Sequence, residues 1–289
     1  MYFALYLYRF LFLILIIDNI HGGLPIPLCT RNGKYQVAIC FSGDYRSFAR
    51  PEVNKSLLWF RDLMTHKGDF DVLSFMFVKV ESDISSETFN RSVQPFHMTD
   101  IGIYNNEGFP NDIDRPGKLY ENNCNKYPRD LSPDFRGQFE KVNLCYRLIL
   151  LYEQKHNCLF PWIIRSRADV IYHTSYHLDW NPDDHNKILI NDERRRLGNG
   201  EFGQTGDHLA IVPRSLSDVY FNAYKAPDFI CEDVEKFIPL CHDEWKFYGP
   251  YPGDHRIWPE CLLYYYLRTF MKVPIKLIHF PLNPVRING

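Results

Sequence analysis

Two apolar segments with a helical pattern between them constrain the fold more than any other feature of this sequence. Tyr35–Phe41 (YQVAICF) and Asp71–Val80 (DVLSFMFVKV) each have the length and the β-branched content of a buried strand. Between them, Pro51 suits the first position of a helix whose apolar residues, from Leu57 to Met64, share one face. Nearly continuous apolar strands joined in this way indicate a parallel sheet covered on both faces. The sequence therefore predicts an α/β fold, a mostly parallel Rossmann-type sheet with helices on both faces, in a single domain.

The rest of the chain extends this α/β pattern. A broad apolar stripe predicts a long helix over Phe135–His156. A strand is expected to begin at Trp162–Ile164, to break at the charged run Arg165–Asp169 and to resume at Val170–Tyr172. Residues 81–132 are rich in Asn, Asp, Pro and Gly, which favours irregular loops. Further strands are predicted at Ile101–Tyr104, Lys187–Ile190, His208–Val212 and Ile275–Phe280, and further helices at Ser215–Tyr224 and Pro259–Met271.

The N-terminal segment is a candidate targeting signal. Arg9 precedes the unbroken apolar run Phe10–Ile17 (FLFLILII), and small residues follow, an order typical of a secretory signal. The run is shorter than the roughly 20 residues of a spanning helix, but the apolar residues before Arg9 extend it to about that length. A cleaved signal peptide and a retained single-pass type II anchor therefore both remain open. The expected division of the chain is a signal or anchor at 1–22, a linker at 23–34 and a catalytic domain at 35–289.

Sequons and cysteines agree with a secreted or lumenal protein. Asn54 and Asn90 each begin an N-x-S sequence without proline, the acceptor pattern for N-glycosylation. The 8 cysteines include no C-x-x-C pair, which argues against a zinc ribbon or a thioredoxin-type motif. We therefore expect the ER or Golgi lumen or the cell exterior, with some cysteines paired. The net charge of −2 excludes a polyelectrolyte partner such as nucleic acid, and membrane contact is expected only through the N-terminal segment.

The cysteine spacing does not define a disulfide framework, because eight cysteines allow many connectivities. The preferred pair is Cys231 with Cys241, since these two residues bracket a short segment. Cys40 ends an apolar strand pattern and Cys145 lies on the apolar stripe of the long helix. Both are expected to be buried as small hydrophobic residues rather than paired.

Three polar loops adjoin predicted strands, where doubly wound sheets bind their ligands. The first, after strand one, is SGDYRSF at 42–48. Ser42 and Gly43 allow a close backbone approach to a ligand, and Arg46 can bind a phosphate or a carboxylate through two parallel hydrogen bonds. An ordinary turn with a surface arginine is the alternative.

The second and third loops carry further charged residues. Arg165, Arg167 and Asp169 lie between apolar flanks, where burial of three charges is expensive unless they pair with one another or with a ligand. One interpretation is a structural arginine–aspartate pair. The other is that Asp169 holds a divalent cation on a diphosphate while the arginines neutralise the phosphates. Asp207, just before the strand LAIV, is a candidate second metal ligand or catalytic base, or simply a turn aspartate.

The segments SGDYRSF, RSRADVIY and GDHLAIVPR together resemble the GT-A-type nucleotide-sugar glycosyltransferases, in particular the small WavE-like group. That group carries an S-G-x-x-R-[TS]-F start, an R-x-R-x-D segment and a later D-x-[FL]-A-I segment. The similarity extends from about Tyr35 to Arg286. The resemblance implies a GT-A-like fold and transfer of a hexose from a nucleoside diphosphate sugar to a glycan or glycoprotein acceptor.

The resemblance also implies roles for individual residues. Such enzymes bind the donor at the first-strand loop and usually chelate Mn²⁺ or Mg²⁺ through a D-x-D motif. The matching place here is Arg167-Ala168-Asp169, with a single carboxylate, which leaves metal dependence open. Asp169, assisted by Asp207, would hold the cation, and the arginines would bind the phosphates. Glu260 matches a late acidic position and is the candidate acceptor-side base, although a first-turn glutamate favoured by the helix dipole is the alternative.

Two other functions remain open from the sequence. The incomplete D-x-D motif is compatible with a non-catalytic protein of the same fold that binds glycans or acts as a secreted interaction partner. A lumenal hydrolase could instead use Asp207 and Glu260 as a pair of carboxylates.

Overall fold

A main sheet and a small second sheet form the framework of the molecule. The computed structural model describes residues 26–80, 84–104, 133–173, 178, 180–183, 185–192, 205–226 and 263–285. The strands of the main sheet are β1 (Thr30–Arg31), β2 (Lys34–Asp44), β3 (Phe70–Lys79), β4 (Asp100–Tyr104), β5 (Trp162–Arg167), β7 (Ile188–Asp192), β8 (Thr205–Pro213) and β9 (Ile275–Ile278). The second sheet pairs β6 (Val170–Tyr172) with β10 (Leu282–Pro284).

The main sheet is mostly parallel, as the sequence predicts. Its strand order is β4-β3-β2-β5-β8-β7-β9, with β1 paired to β2 outside this path. β8 is antiparallel to both of its neighbours, and the other strands of the path run in one common direction. The ends of β2 and β5 therefore share one edge with the start of β8, which we call the carboxyl edge. The opposite edge, where β5 begins and β8 ends, is the amino edge.

Helices cover both faces of this sheet, so the predicted α/β class is confirmed. They are α1 (Tyr45–Phe48), α2 (Pro51–Leu63), α3 (Ser86–Val93), α4 (Pro133–His156), α5 (Arg214–Phe221) and a π-helical turn at Tyr266–Phe270. Alternate residues of β2 enter two separate cores, as the period of two in a strand requires. Ala38 and Cys40 pack in the core beneath α4 and α5, whereas Val37 and Ile39 pack in the core beneath α2 and α3.

Most predicted strands and helices are present with small shifts of their ends, but α3 was missed, and residues 259–262 of the predicted helix Pro259–Met271 lie outside the described residues. The segment 81–132 was expected to contain only loops and one short strand, and Ser86–Val93 is helical instead. Its side chains explain why it folds: the hydroxyl of Ser85 accepts the Thr88 N–H at 3.1 Å as an N-cap. Phe89 and Val93 are the buried residues of this short helix, so its apolar pattern was too brief to stand out.

The break predicted at Arg165–Asp169, in the strand that begins at Trp162, was misplaced. Arg165, Ser166 and Arg167 belong to β5 itself, because Ser166 pairs with Phe41 on one side and Leu209 on the other. The chain turns only at Ala168 and Asp169, and Val170 then begins β6 in the second sheet rather than resuming the first. Neighbouring strands on both sides supply backbone hydrogen-bond partners for the run that includes Arg165 and Ser166, so this run remains in the strand although it carries charged side chains.

Two disulfides connect the described part of the chain, and one contradicts the sequence prediction. Cys40 and Cys145 are fully buried as expected, but they are bonded to each other, with Cα atoms 5.9 Å apart. The prediction failed because β2 packs against α4, which brings together two cysteines 105 residues apart. Cys29 pairs with Cys158. The preferred pair Cys231–Cys241 lies outside the described residues.

The described end of the predicted linker, residues 26–34, is attached to the sheet. The Cys29 N–H donates to the Leu159 carbonyl at 2.8 Å, and β1 pairs with the start of β2. Among the described residues, no helix has both the length and the apolar character needed to cross a bilayer.

Candidate active site at the carboxyl edge

The three polar loops singled out in the sequence meet at the carboxyl edge of the main sheet. β2 and β5 run parallel, so Ser42 pairs with Arg167 where both strands end. β8 enters beside them in the opposite direction, which brings Asp207 to the same edge. The Ala168 N–H donates to the Ser42 carbonyl at 3.0 Å and joins the first loop to the second.

Arg167 is the centre of the site, and two carboxylates hold it. Its Nε and Nη2 atoms donate to the two oxygens of Asp169 at 2.7 and 2.6 Å, and its Nη1 donates to Asp207 Oδ2 at 3.3 Å. We call these three residues the carboxyl-edge cluster. Burial alone would lower the pKa of Arg167, but the charge of Asp207 and the contacts with Asp169 raise it above its ordinary value. The guanidinium therefore stays cationic throughout the physiological range.

Asp207 is buried, with an exposed fraction of 1%. Its Oδ2 accepts from Arg167, and its Oδ1 lies 3.1 Å from His208 Nδ1 but makes no hydrogen bond of acceptable geometry. A carboxylate that is both buried and held by an arginine is poorly placed to receive a proton from an acceptor hydroxyl. In this arrangement Asp207 holds Arg167 in position.

Gly43 lies directly beside the carboxyl-edge cluster. Its φ of +144° falls where side chains are rarely tolerated. A Cβ atom there would come within 3.9 Å of Asp169 Oδ1 and 3.6 Å of the Ala168 nitrogen. The hydroxyl of the neighbouring Ser42 is buried and has no hydrogen-bond partner. Bare backbone and an unsatisfied hydroxyl next to a cation form a surface suited to anionic oxygens.

Lys141 is a candidate functional residue that sequence reasoning missed. It lies on α4, and its Nζ is 2.5 Å from Oδ1 of Asp44, the last residue of β2. The Lys141–Asp44 pair brings a second cation to the carboxyl edge, at the first loop (residues 42–48). The contact between Lys141 and Asp44 could not be predicted from a local pattern, because the two residues are 97 positions apart.

Of the other predicted site residues, Arg165 lies apart from this arrangement. Arg165 has an exposed fraction of 0%, and its guanidinium is 5.9 Å from the centre of the Phe139 ring between β5 and α4. Within the described part of the chain, none of its three side-chain nitrogens has a hydrogen-bond partner, and the side chain lies behind the edge rather than on it. The backbone of Arg46 belongs to α1, but its side chain, like the whole of Glu260, lies outside the described residues.

The described residues do not fit a divalent cation in this arrangement. No group of three or more His, Cys, Asp or Glu side chains among them could hold a metal. Both oxygens of Asp169 already accept from Arg167, and only Oδ1 of Asp207 has no donor. Mg²⁺ and Mn²⁺ need several oxygen ligands, so a cation here would have to displace the arginine or draw ligands from elsewhere.

The two predicted glycosylation sites differ in accessibility. Asn90 is exposed on α3. Asn54 is partly buried on α2, and its amide donates to the Ser92 carbonyl at 2.8 Å. Ser56, the third residue of the Asn54 sequon, is buried. Asn90 is therefore the more accessible of the two predicted sites in the folded chain.

Comparisons with known proteins add solved structures of low similarity. No family model and no curated protein matches the chain. A nucleoside-diphosphate-sugar pyrophosphorylase from Vibrio cholerae is 13% identical, with a TM-score of 0.37, over 84% of this chain and 91% of its own. Mouse xyloside xylosyltransferase 1 is 11% identical, with a TM-score of 0.38, over 84% of each chain. A glycosyltransferase involved in the glycosylation of the major capsid of PBCV-1 is 8% identical, with a TM-score of 0.34, over 84% of this chain and 81% of its own.

These similarities are too low to carry an argument about activity, and they do not show membership of the WavE-like group. The class of protein follows from the strand order and from the place of the site. The chain is an α/β protein with a mostly parallel sheet covered by helices, as predicted, and it has an arginine–carboxylate cluster at the carboxyl edge of that sheet.

Proposed function

We propose that this protein is a glycosyltransferase that moves a hexose from a nucleoside diphosphate sugar to a glycan or glycoprotein acceptor. The observation that carries the proposal is the convergence of Gly43, Arg167 and Asp169 at the carboxyl edge, where sheets of this kind bind nucleotides. The motif resemblance to the WavE-like group supports the same activity. Structure neighbours described as glycosyltransferases agree with it but add no weight of their own.

The site would act on the leaving group. Departure of a sugar leaves negative charge on the diphosphate, which fixed cations and backbone N–H groups stabilise. Arg167 is charged and held in place by Asp169 and Asp207, so it needs little reorganisation to meet the phosphates. Lys141 and Arg46 would supply further positive charge, and Ser42 and Gly43 a hydroxyl and bare backbone. Arg165 would act only from behind the strand.

Asp207 and Glu260 receive different parts in this proposal. Asp207 orients Arg167 because it is buried and bonded to it. The acceptor-side base is left to Glu260, as the sequence resemblance implies. A divalent cation is not needed to explain the charge balance of the described residues, and its part in the reaction is tested by adding Mn²⁺ or Mg²⁺.

Turnover with a panel of nucleotide sugars tests the activity. Release of UDP or GDP is measured with and without Mn²⁺, for the wild type and for Arg167→Lys. Lysine keeps the charge but loses the paired hydrogen bonds, so we expect a large fall in the rate of release. Arg91→Lys is the matched control, because Arg91 is an exposed arginine on α3 that pairs with Glu87. No release from any donor by the wild type would refute a transferase.

A non-catalytic nucleotide- or glycan-binding protein is the second candidate. It is favoured by one observation: both oxygens of Asp169 are bound to Arg167, where a cation-binding D-x-D motif would leave them free. Such a protein would bind UDP or GDP without turnover, and Asp169→Ala would leave that binding unchanged. The same panel, run beside a binding titration, separates the two candidates.

The secretory pathway is the proposed location, in the ER or Golgi lumen or outside the cell, with the N-terminal segment as signal or anchor. Two disulfides in the described residues support an oxidising compartment. Expression in a secretory host should yield a protein whose mobility shifts on glycosidase treatment. We expect Asn90→Gln to abolish that shift and Asn54→Gln to leave it. An unshifted wild type would contradict the location.

A further inference from the structure

The turn that carries Asp169 is held by its backbone as well as by its side chain. Arg167 bonds the carboxylate, while the main-chain carbonyl of Asp169 accepts the Val285 N–H at 2.8 Å. Val285 comes directly after β10, so the contact belongs to the C-terminal strand of the described chain. The position of Asp169 therefore depends on a segment that no active-site motif includes.

The same residue also contacts the first loop of the site. The hydroxyl of Ser47 donates to the Val285 carbonyl at 3.2 Å, across 238 positions of sequence. Ser47 is buried on α1, immediately after Arg46. Val285 thus bonds to two parts of the site: its N–H donates to the Asp169 carbonyl, and its carbonyl accepts from Ser47 in the first loop (residues 42–48).

The second sheet fixes where Val285 lies. β10 pairs with β6 from Leu282–Tyr172 to Pro284–Val170, and the His173 N–H donates to the Pro281 carbonyl at 3.1 Å. β6 is in turn bonded to α2, since the Tyr172 N–H donates to the Ser56 hydroxyl at 2.6 Å. The hydrogen bonds of the second sheet therefore hold Val285 at the site.

We propose that Ser47 and the backbone of Val285 are positioning elements of the site that couple the first loop (residues 42–48) to the Asp169–Arg167 pair. Through these two hydrogen bonds, the segment that follows β10 sets the distance between the first loop (residues 42–48) and the Asp169–Arg167 pair. As far as nucleotide affinity is concerned, the inference rests on the proposed function. The coupling itself is a property of the fold and can be measured without a nucleotide.

Hydrogen exchange of backbone amides tests the coupling in the full chain. Val285→Pro removes the N–H that bonds Asp169, and Ser47→Ala removes the hydroxyl that bonds Val285. We expect each to accelerate exchange about fivefold in both segments, 42–48 and 168–172, because one hydrogen bond contributes about 1 kcal/mol. Ser47→Thr, which keeps the hydroxyl, should restore wild-type exchange. Asn283→Ala is the matched control, since it removes only an exposed side-chain contact with His173.

Affinity for UDP and GDP, measured on the same variants, separates this inference from the proposed function. If the wild type binds, Val285→Pro and Ser47→Ala should weaken binding about fivefold and Asn283→Ala should not. If the wild type binds neither nucleotide, the proposed function fails while the exchange data still decide the coupling. Unchanged exchange at 168–172 in both Val285→Pro and Ser47→Ala would overturn the inference.

Discussion

β8 has an arginine–carboxylate cluster at each end, and the two clusters differ in how completely their polar atoms are paired. At the amino edge, Arg214 follows the strand and donates from Nε to Glu153 at 3.1 Å. At the carboxyl edge, Asp207 near the strand's start accepts from Arg167. The two arginine side chains are about equally exposed, 21% for Arg214 and 23% for Arg167, so burial does not distinguish them.

The amino-edge cluster is complete within the protein. Glu153 accepts from Arg214 and from the Phe160 N–H at 2.9 Å, and Arg214 also donates to Ser217 at 2.8 Å. The Tyr146 hydroxyl donates to Asp218 at 2.5 Å. Every buried side-chain oxygen and nitrogen of these residues has a partner, and the network joins α4, α5 and the start of β5. Such a cluster stabilises the fold and has nothing left to offer a ligand.

The carboxyl-edge cluster is incomplete. Asp207 Oδ1 and Ser42 Oγ have no hydrogen-bond partner, and Gly43 leaves bare backbone beside them. Because a buried polar atom without a partner is costly, Ser42 Oγ and Asp207 Oδ1 are the atoms of this cluster that remain available to a further group. The two clusters therefore differ in how completely their polar atoms are paired and not in the exposure of their arginines.

The largest expected effect is on stability, at the amino edge. Arg214→Met would leave Glu153 buried without its cation, and we expect the free energy of unfolding to fall by about 3–5 kcal/mol. Urea denaturation measures the loss. Nucleotide affinity of the folded variant should stay at the wild-type value, and a change in it would break the distinction between the two clusters.

A pair of glycine substitutions gives an intermediate effect. Gly43 (φ +144°) and Gly33 (φ +75°, in the turn before β2) both occupy backbone conformations that favour glycine. Alanine at either should cost about 1–3 kcal/mol of unfolding free energy. Only Gly43→Ala places a Cβ near Asp169, so only this variant should weaken nucleotide binding. Equal affinities in titrations of both variants would remove Gly43 from the site.

The smallest effect is a pH dependence at the amino edge. Burial raises the pKa of Glu153 above its ordinary value of 4.5, against the opposing influence of Arg214 and the Phe160 N–H. The folded state then holds the proton more tightly than the unfolded state, so this stability contribution is present below pH 4.5 and declines as pH rises through the folded pKa. Relative to Glu153→Gln, the wild-type unfolding free energy should fall as the pH rises from about 4 to about 7. Parallel curves for the two proteins would contradict the raised pKa.

Patterns within one segment were predictable from the sequence, and contacts between distant segments were not. The apolar periods of β2, β3 and α4 gave their positions because each element buries a face of its own. Placing the three loops at one edge followed from the parallel direction of the strands. The Cys40–Cys145 and Lys141–Asp44 contacts depend on how α4 lies across β2, which no local pattern encodes.

The role of each charged residue was the least predictable part of the site. Arg165 and Arg167 are two positions apart on one strand, yet one is enclosed behind the sheet and the other is held at its edge. The sequence suggested phosphate contacts for both. The difference arises from α4, whose Phe139 covers Arg165, and from Asp169 and Asp207, which hold Arg167 at the turn.

Calorimetric titration of UDP and GDP into matched variants tests the central claim most directly. Arg167→Lys and Arg214→Lys make the same chemical change to arginines of equal exposure at opposite ends of β8. The account predicts that Arg167→Lys weakens nucleotide binding about 10-fold to 100-fold, the worth of one charge-assisted contact, while Arg214→Lys binds as the wild type does. Equal binding by all three proteins, or no binding by the wild type, would contradict it.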